Sequence, residues 1–203
     1  VGSNYNPQTN DFPSASPSVL IWMAQKMLVQ NSLKDALAAM ERLSQVYPNA
    51  QGELLFSANY IIGQVHDKNK DFDESANSYD IAITNAPWHP NSNNARLRKG
   101  HALYEIAKIN KDNEKFLLAQ ASFGEARDSD ESTMVLKGEC SYMMGECLKE
   151  MRDFEGASRH FDDTTSRYAS SGKWAEKAFD QAISCYEKIG NSILIKFNQV
   201  GSL

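Results

Sequence analysis

Apolar residues recur every three or four positions along most of this chain, starting at Val19. This spacing places them on one face of a helix, and no segment shows the sustained alternation of a half-buried strand. Beyond residue 17 the prolines are Pro48, Pro87 and Pro90, and each falls between two predicted helices. A proline between two helices ends the first helix and does not interrupt the interior of either. The pattern therefore predicts an all-helical protein.

The first seventeen residues, VGSNYNPQTNDFPSASP, carry three of the six prolines and show no hydrophobic period. Such a composition does not bury enough apolar surface to fold. We interpret residues 1–17 as a flexible leader, with Ser18 as the N-cap of the first helix.

Two distant segments match each other without a gap. Residues 59–87 read NYIIGQVHDKNKDFDESANSYDIAITNAP, and residues 141–169 read SYMMGECLKEMRDFEGASRHFDDTTSRYA. In each, a glycine (Gly63 or Gly145) is followed twelve residues later by a small residue, and four residues after that by an aromatic one. We expect the glycine to let two antiparallel helices approach closely, where the small residue meets it. The aromatic side chain then fills the space one turn further along.

This pattern resembles the tetratricopeptide repeat (TPR), a helical hairpin with a period of about 34 residues. Weaker copies carry the small and aromatic positions at Ala24, Ala36 and Met40, at Ala107, Ala119 and Phe123, and at Phe179, Ala182 and Tyr186. The resemblance implies an all-α, right-handed superhelical solenoid of antiparallel helix pairs over residues 18–203, with about four and a half repeats. The implied repeats cover residues 18–50, 56–88, 93–130 and 136–170, followed by a terminal helix over 173–190 and a tail over 191–203.

Two places depart from a regular array. About ten extra residues, Trp88–Leu97, precede the third copy and predict either a longer loop or a longer helix there. The final half-repeat is expected to end at Gly190-Asn191, because the sequence after it lacks the small-aromatic-small series. We interpret that tail as a capping segment or as the start of further structure.

The stretch over residues 136–191 is similar to repeats of bacterial envelope TPR proteins, namely Tol-Pal-associated coordinator proteins and BamD-type assembly lipoproteins. A glycine-glutamate-cysteine helix and an Arg-Tyr ending before a loop carry this similarity. It implies a periplasmic or outer-membrane-associated location, with peripheral tethering to the membrane through a segment preceding Val1. A cytoplasmic location is the alternative.

Charge and composition exclude other classes. The formal net charge of −5 lacks the basic excess of a nucleic-acid-binding protein. No apolar run approaches the roughly 20 residues that span a bilayer.

The sequence contains no recognisable catalytic or metal-binding motif. The four histidines are scattered, and neither a His-Glu-x-x-His motif, a Cys-x-x-Cys motif nor a glycine-rich phosphate loop occurs. Cys140 and Cys147 lie about 10.5 Å apart on one predicted helix, too far for a disulfide. We expect buried free thiols, no catalytic residue, no metal site and no cofactor.

The resemblance further implies that the first helix of each hairpin lines a concave groove. The implied peptide-binding residues are Tyr60, Gln64, Tyr104, Lys108, Tyr142, Glu146 and Phe179. Tyrosine joins a broad apolar face to a hydroxyl at low entropic cost, which suits peptide contact. Neighbouring residues supply mixed charge: Asp67, Lys68, Lys111, Lys149 and Glu150. The alternative is that these tyrosines pack against neighbouring helices.

The function predicted from these features is a non-catalytic scaffold that binds a peptide or protein segment in its groove, within a bacterial envelope assembly. A self-assembling structural subunit that stacks through its C-terminal helix is one alternative. An adaptor part of a larger multi-domain protein is the other. The sequence leaves the oligomeric state open.

Overall fold

A computed structural model of the protein describes residues 15–200, and side chains as far as residue 193. Within this range all regular structure is helical. The α-helices are α1 (Pro17–Val29), α2 (Leu33–Val46), α3 (Glu53–Asn69), α4 (Phe72–Asn85), α5 (Ser92–Asn110), α6 (Asn113–Asp128), α7 (Met134–Glu150), α8 (Phe154–Ser166) and α9 (Lys173–Val200), with a 3₁₀ turn at Ala169–Ser171. The all-α prediction is confirmed. The predicted leader lies outside the described residues except for its last three.

The chain divides into two compact units, one ending at Ala102 and the other starting at Leu103, within α5. In the first unit α1 pairs with α2 and α3 pairs with α4, while α3 also contacts α1 and α2. In the second unit α7 packs against α6, α8 and α9. The helix order is that of the predicted hairpins followed by a terminal helix.

Both strong copies of the repeat show the same close helix contact. A methyl group at Gly63 would lie 2.7 Å from the ring of Tyr79, and one at Gly145 would lie 2.7 Å from the ring of Phe161. Both rings are fully buried. The predicted close approach is confirmed, with one change: each glycine faces the aromatic ring itself rather than the small residue one turn before it.

All four hairpin turns close in one way. The first or second residue after the first helix has a positive φ, a conformation that costs a side chain about 1 kcal/mol. The next residue donates its N–H to the carbonyl five positions back, as Asp71 does to His66. That next residue then begins the second helix by accepting from the N–H four positions on. The residues with positive φ are Asn31, Lys70, Lys111 and Arg152.

Two irregular regions are now defined. The extra residues before the third copy lengthen the helix, because α5 starts at Ser92 and runs for 19 residues. The predicted helix end at Gly190-Asn191 is wrong, since α9 continues to Val200. Gly190 is exposed, and a glycine at such a place costs a helix only about 1 kcal/mol, which is too little to stop it without a proline.

The cysteines are free and buried, as predicted. Burial, helped by the charge of Glu146, raises the pKa of the Cys147 thiol to about 12, and burial raises the pKa of Cys140 as well. Both thiols therefore stay protonated at neutral pH and fill space as small apolar groups. Among the described helices, none is both long enough and apolar enough to cross a membrane.

Candidate functional site

The predicted groove residues of the first unit lie on α3. The Tyr60 ring is half-buried and stacks on Phe56, with ring centres 5.7 Å apart. It also lies 5.7 Å from the ring of Tyr79. Gln64, one turn further along α3, is half-buried. Tyr60 is therefore covered on one side and open on the other.

Asp67, at the C-terminal end of α3, joins three helices of this unit. Its carboxylate accepts hydrogen bonds from the hydroxyl of Tyr79, at 2.6 Å, and from the hydroxyl of Ser75 on α4. Arg98 of α5 lies 3.5 Å from the same carboxylate. Burial and the Asp67 charge raise the pKa of Tyr79 far above its usual value. This Asp67 cluster fixes the last turn of α3 with polar contacts.

In the second unit the predicted tyrosines are buried. Tyr104 is 6% exposed and meets Phe116 edge-on, with ring centres 5.6 Å apart. Tyr142 is 9% exposed and lies between Phe161, at 5.6 Å, and Trp174, at 5.4 Å. These two tyrosines therefore pack against neighbouring helices, which was the alternative to a peptide-binding role. Their rings belong to the core and do not form an open aromatic ladder.

Charged side chains lie beside these rings. Lys108 is exposed, and its ammonium lies 5.3 Å from the centre of the Tyr104 ring, a cation–π contact. Burial and the nearby Glu146 carboxylate raise the pKa of Tyr142 to about 12. They also raise the pKa of Tyr104, with burial the larger cause. Glu146 therefore lies near both tyrosines, so the structure brings together four of the predicted residues.

Lys149 ties α7 to α9. Its ammonium donates to Glu146 at 2.9 Å and to the side-chain oxygen of Gln181 at 2.7 Å. Phe179, on the same helix as Gln181, is 61% exposed. The first helices of this unit thus present buried tyrosines, an ion pair on α7 that is tied to Gln181 of α9, and one exposed phenylalanine.

A cleft of about 350 Å³ opens where the α5–α6 and α7–α8 turns lie side by side. Its lining residues are Ala107, Lys108, Lys111, Asn113, Phe116, Glu150 and Arg152. Reasoning from the first helices alone missed Phe116, Asn113 and Arg152, because these come from the turns and from a second helix. The signal that could have found Arg152 is the repeated cation-aspartate pair at 70–71, 111–112 and 152–153.

Nothing in the described part of the chain gathers three or more histidine, cysteine or acidic side chains as a metal site would require. The helix surfaces and the cleft described above combine charged groups, hydrogen-bonding groups and an apolar floor. These are the elements of a binding site for a polar chain segment.

Antiparallel helix pairs with a glycine pressed on an aromatic ring are the hairpins of a TPR-type helical repeat fold. Among the solved structures that match is the crystal structure of YrrB, described as a TPR protein with an unusual peptide-binding site. It matches with a TM-score of 0.59 and 18% sequence identity, covering 89% of this chain and 92% of that one. At this identity the likeness shows the fold alone. No protein-family model matches the sequence, and no curated protein is significantly similar to it.

Proposed function

We propose that this protein is a non-catalytic interaction scaffold that binds an extended protein segment across α5, α7 and α9 of its second unit. The observation that carries the proposal is the surface on these helices: the Glu146–Lys149 ion pair is tied to Gln181 of α9, while Lys108 on α5 and Phe179 on α9 are exposed. YrrB, the TPR protein of similar fold, has a peptide-binding site, which supports the same class of function.

The side chains of this surface are preorganised. Lys149 is held by Glu146 and Gln181 before any partner arrives, so its ordering costs little at binding. The buried rings of Tyr104 and Tyr142 lie near Glu146, and burial together with the Glu146 charge raises the pKa of both tyrosines. Phe179 adds an exposed aromatic side chain, the residue type that often anchors an interface.

The experiment is a selection of 12-residue peptides from a displayed random library, followed by fluorescence anisotropy on the selected peptides. We expect the double variant Lys108→Ala/Phe179→Ala to weaken binding by at least about tenfold, as the loss of one interface anchor does. The matched control is Lys34→Ala/Leu117→Ala, which removes one exposed lysine and one exposed apolar side chain from the second helices α2 and α6. Failure to select any peptide, or equal weakening in both double variants, would contradict the proposal.

A second candidate function is self-assembly through α9. Four large side chains at helical spacing on this helix are exposed: Phe179, Ile183, Tyr186 and Ile193. They fall on one face, and an apolar stripe of this kind marks an interaction surface. Sedimentation velocity tests it: we expect a concentration-dependent shift that Ile193→Lys abolishes while peptide binding is unchanged. A monomer at every concentration would contradict self-assembly.

The cellular setting that we propose is a bacterial envelope assembly, supported by the similarity of the α7–α9 sequence to envelope TPR proteins. Fractionation of cells that produce the natural full-length protein tests it. Recovery with the periplasm or with membranes is expected, and recovery with the cytosol would contradict it.

A further inference from the structure

The cleft between the α5–α6 and α7–α8 turns combines cations with an apolar floor. Ala107 and Phe116 form the floor and are buried. Lys108 comes from the end of α5, Lys111 from the turn after α5, and Arg152 from the turn after α7. We propose that this cleft binds an acidic side chain, aspartate or glutamate, of the partner segment. The inference rests on the proposed function and specifies the partner that this scaffold selects.

Charge is the first argument. Lys108, Lys111 and Arg152 are all exposed, and within the described residues none of the three makes an ion pair. Glu150 is the single carboxylate in the lining, so the cleft carries two more positive charges than negative ones. Like charges repel when they are held together, and an arriving anion relieves that repulsion. Two lysines and an arginine around one depression therefore favour an anionic group.

Two of the three cations sit on strained backbone. Lys111 and Arg152 have φ values of 54° and 64°, a region where glycine is the residue without strain. Lys70 occupies the same turn position in the first unit, with φ 64°. A cation at this position is thus a repeated feature of the turns. The cleft differs because its turns place two such cations next to Lys108 over an apolar floor.

The volume and the apolar floor of the cleft determine which ligand fits it. A volume of about 350 Å³ is at the lower end for ligand pockets, enough for one or two side chains of a chain segment. A glutamate side chain fits this chemistry, because its methylene groups can lie on Phe116 while its carboxylate meets the cations. An arginine such as Arg152 binds a carboxylate through two parallel hydrogen bonds.

The test uses peptides selected by the intact chain and then synthesised with an acetylated N-terminus and an amidated C-terminus. We expect the selected peptides to share an aspartate or glutamate at one position, and a glutamate-to-glutamine change there to weaken binding about tenfold. In the Lys111→Gln/Arg152→Gln variant the two peptides should bind equally. Lys70→Gln, the same turn position outside the cleft, should keep the tenfold preference. The preference should also decrease as salt concentration rises.

A second variant separates binding from folding. Lys111→Gly/Arg152→Gly removes both cations and relieves two strained residues, so we expect a higher melting temperature together with a lost acidic preference. Selected peptides without an acidic preference, or a preference that survives in both double variants, would overturn the inference while leaving the scaffold function in place. If binding requires a free C-terminal carboxylate, the side-chain assignment is also overturned. If no peptide is selected at all, the proposed function itself fails.

Discussion

The α3/α4 hairpin of the first unit and the α7/α8 hairpin of the second pack alike and differ in their polar atoms. In both, the first-helix glycine would meet an aromatic ring at 2.7 Å if it gained a methyl group. In α3/α4 that ring is Tyr79, bound through its hydroxyl to Asp67. In α7/α8 it is Phe161, and the position that matches Asp67 in the sequence is Lys149.

The difference in polar contacts shows which hairpin positions are fixed by packing within the hairpin and which can vary to make contacts elsewhere. Asp67 turns toward its own second helix and holds Ser75 and Tyr79. Lys149 turns toward Glu146 and Gln181, residues of the proposed binding surface. One hairpin uses this position to hold its own second helix, and the other uses it to join α7 to α9.

The largest effect is expected from removing the shared aromatic ring. Phe161→Ala and Tyr79→Ala should each lower the free energy of unfolding by about 3–5 kcal/mol, because both rings are fully buried. Denaturant titration followed by circular dichroism measures this. A loss below about 1 kcal/mol in either hairpin would show that the two do not share this packing.

Filling the glycine contact should cost less, and equally in the two hairpins. Gly63→Ala and Gly145→Ala should each destabilise by about 1–3 kcal/mol, since the added methyl group overlaps a ring that is buried on all sides. The matched control is Gly190→Ala in α9, where nothing lies within 4 Å of the new methyl group. There alanine should stabilise by about 1 kcal/mol through helix propensity alone. The same denaturant titration measures these effects. If Gly63→Ala or Gly145→Ala proved more stable than the wild type, the close contact would be contradicted.

The hydrogen bond that only the α3/α4 hairpin has should contribute less to the free energy of unfolding than the glycine contact. Tyr79→Phe removes one hydrogen bond to Asp67 and should cost about 1–2 kcal/mol. Phe161→Tyr places a hydroxyl opposite Lys149 instead of an aspartate, so it should bring no gain. If Phe161→Tyr stabilises the protein as much as Tyr79→Phe destabilises it, the comparison between the two hairpins is wrong.

The smallest effect is a pH dependence at the same site. The pKa of Tyr79 is raised in the folded protein, whereas a tyrosine in the unfolded chain ionises near pH 10. The stability that the raised pKa contributes is therefore fully present well below pH 10, begins to fall as the unfolded chain ionises near pH 10, and falls further as the pH rises toward the folded pKa. The destabilisation caused by Tyr79→Phe should shrink by about 0.4 kcal/mol between pH 8 and pH 10. The effect of Phe161→Leu should stay constant over that range, and a constant Tyr79→Phe effect would contradict the raised pKa.

The sequence predicted the helix order and the glycine-aromatic contacts, because both depend on spacings within about 30 residues. It did not predict which tyrosines are covered. Tyr104 is covered by Phe116 and Tyr142 by Trp174, and the pattern of one helix does not say which neighbour reaches it. It also missed the cleft, since its lining comes from the turns of two consecutive repeats and the spacing within one repeat does not show how neighbouring turns pack.

Photo-cross-linking would show whether a partner segment lies across the first helices of the second unit, as we propose. A selected peptide carrying a benzophenone side chain is irradiated with the protein, and the linked residues are found by mass spectrometry. We expect links on α5, α7 and α9, close to Lys108 and Phe179. Links confined to α6 and α8, or to the first unit, would contradict it.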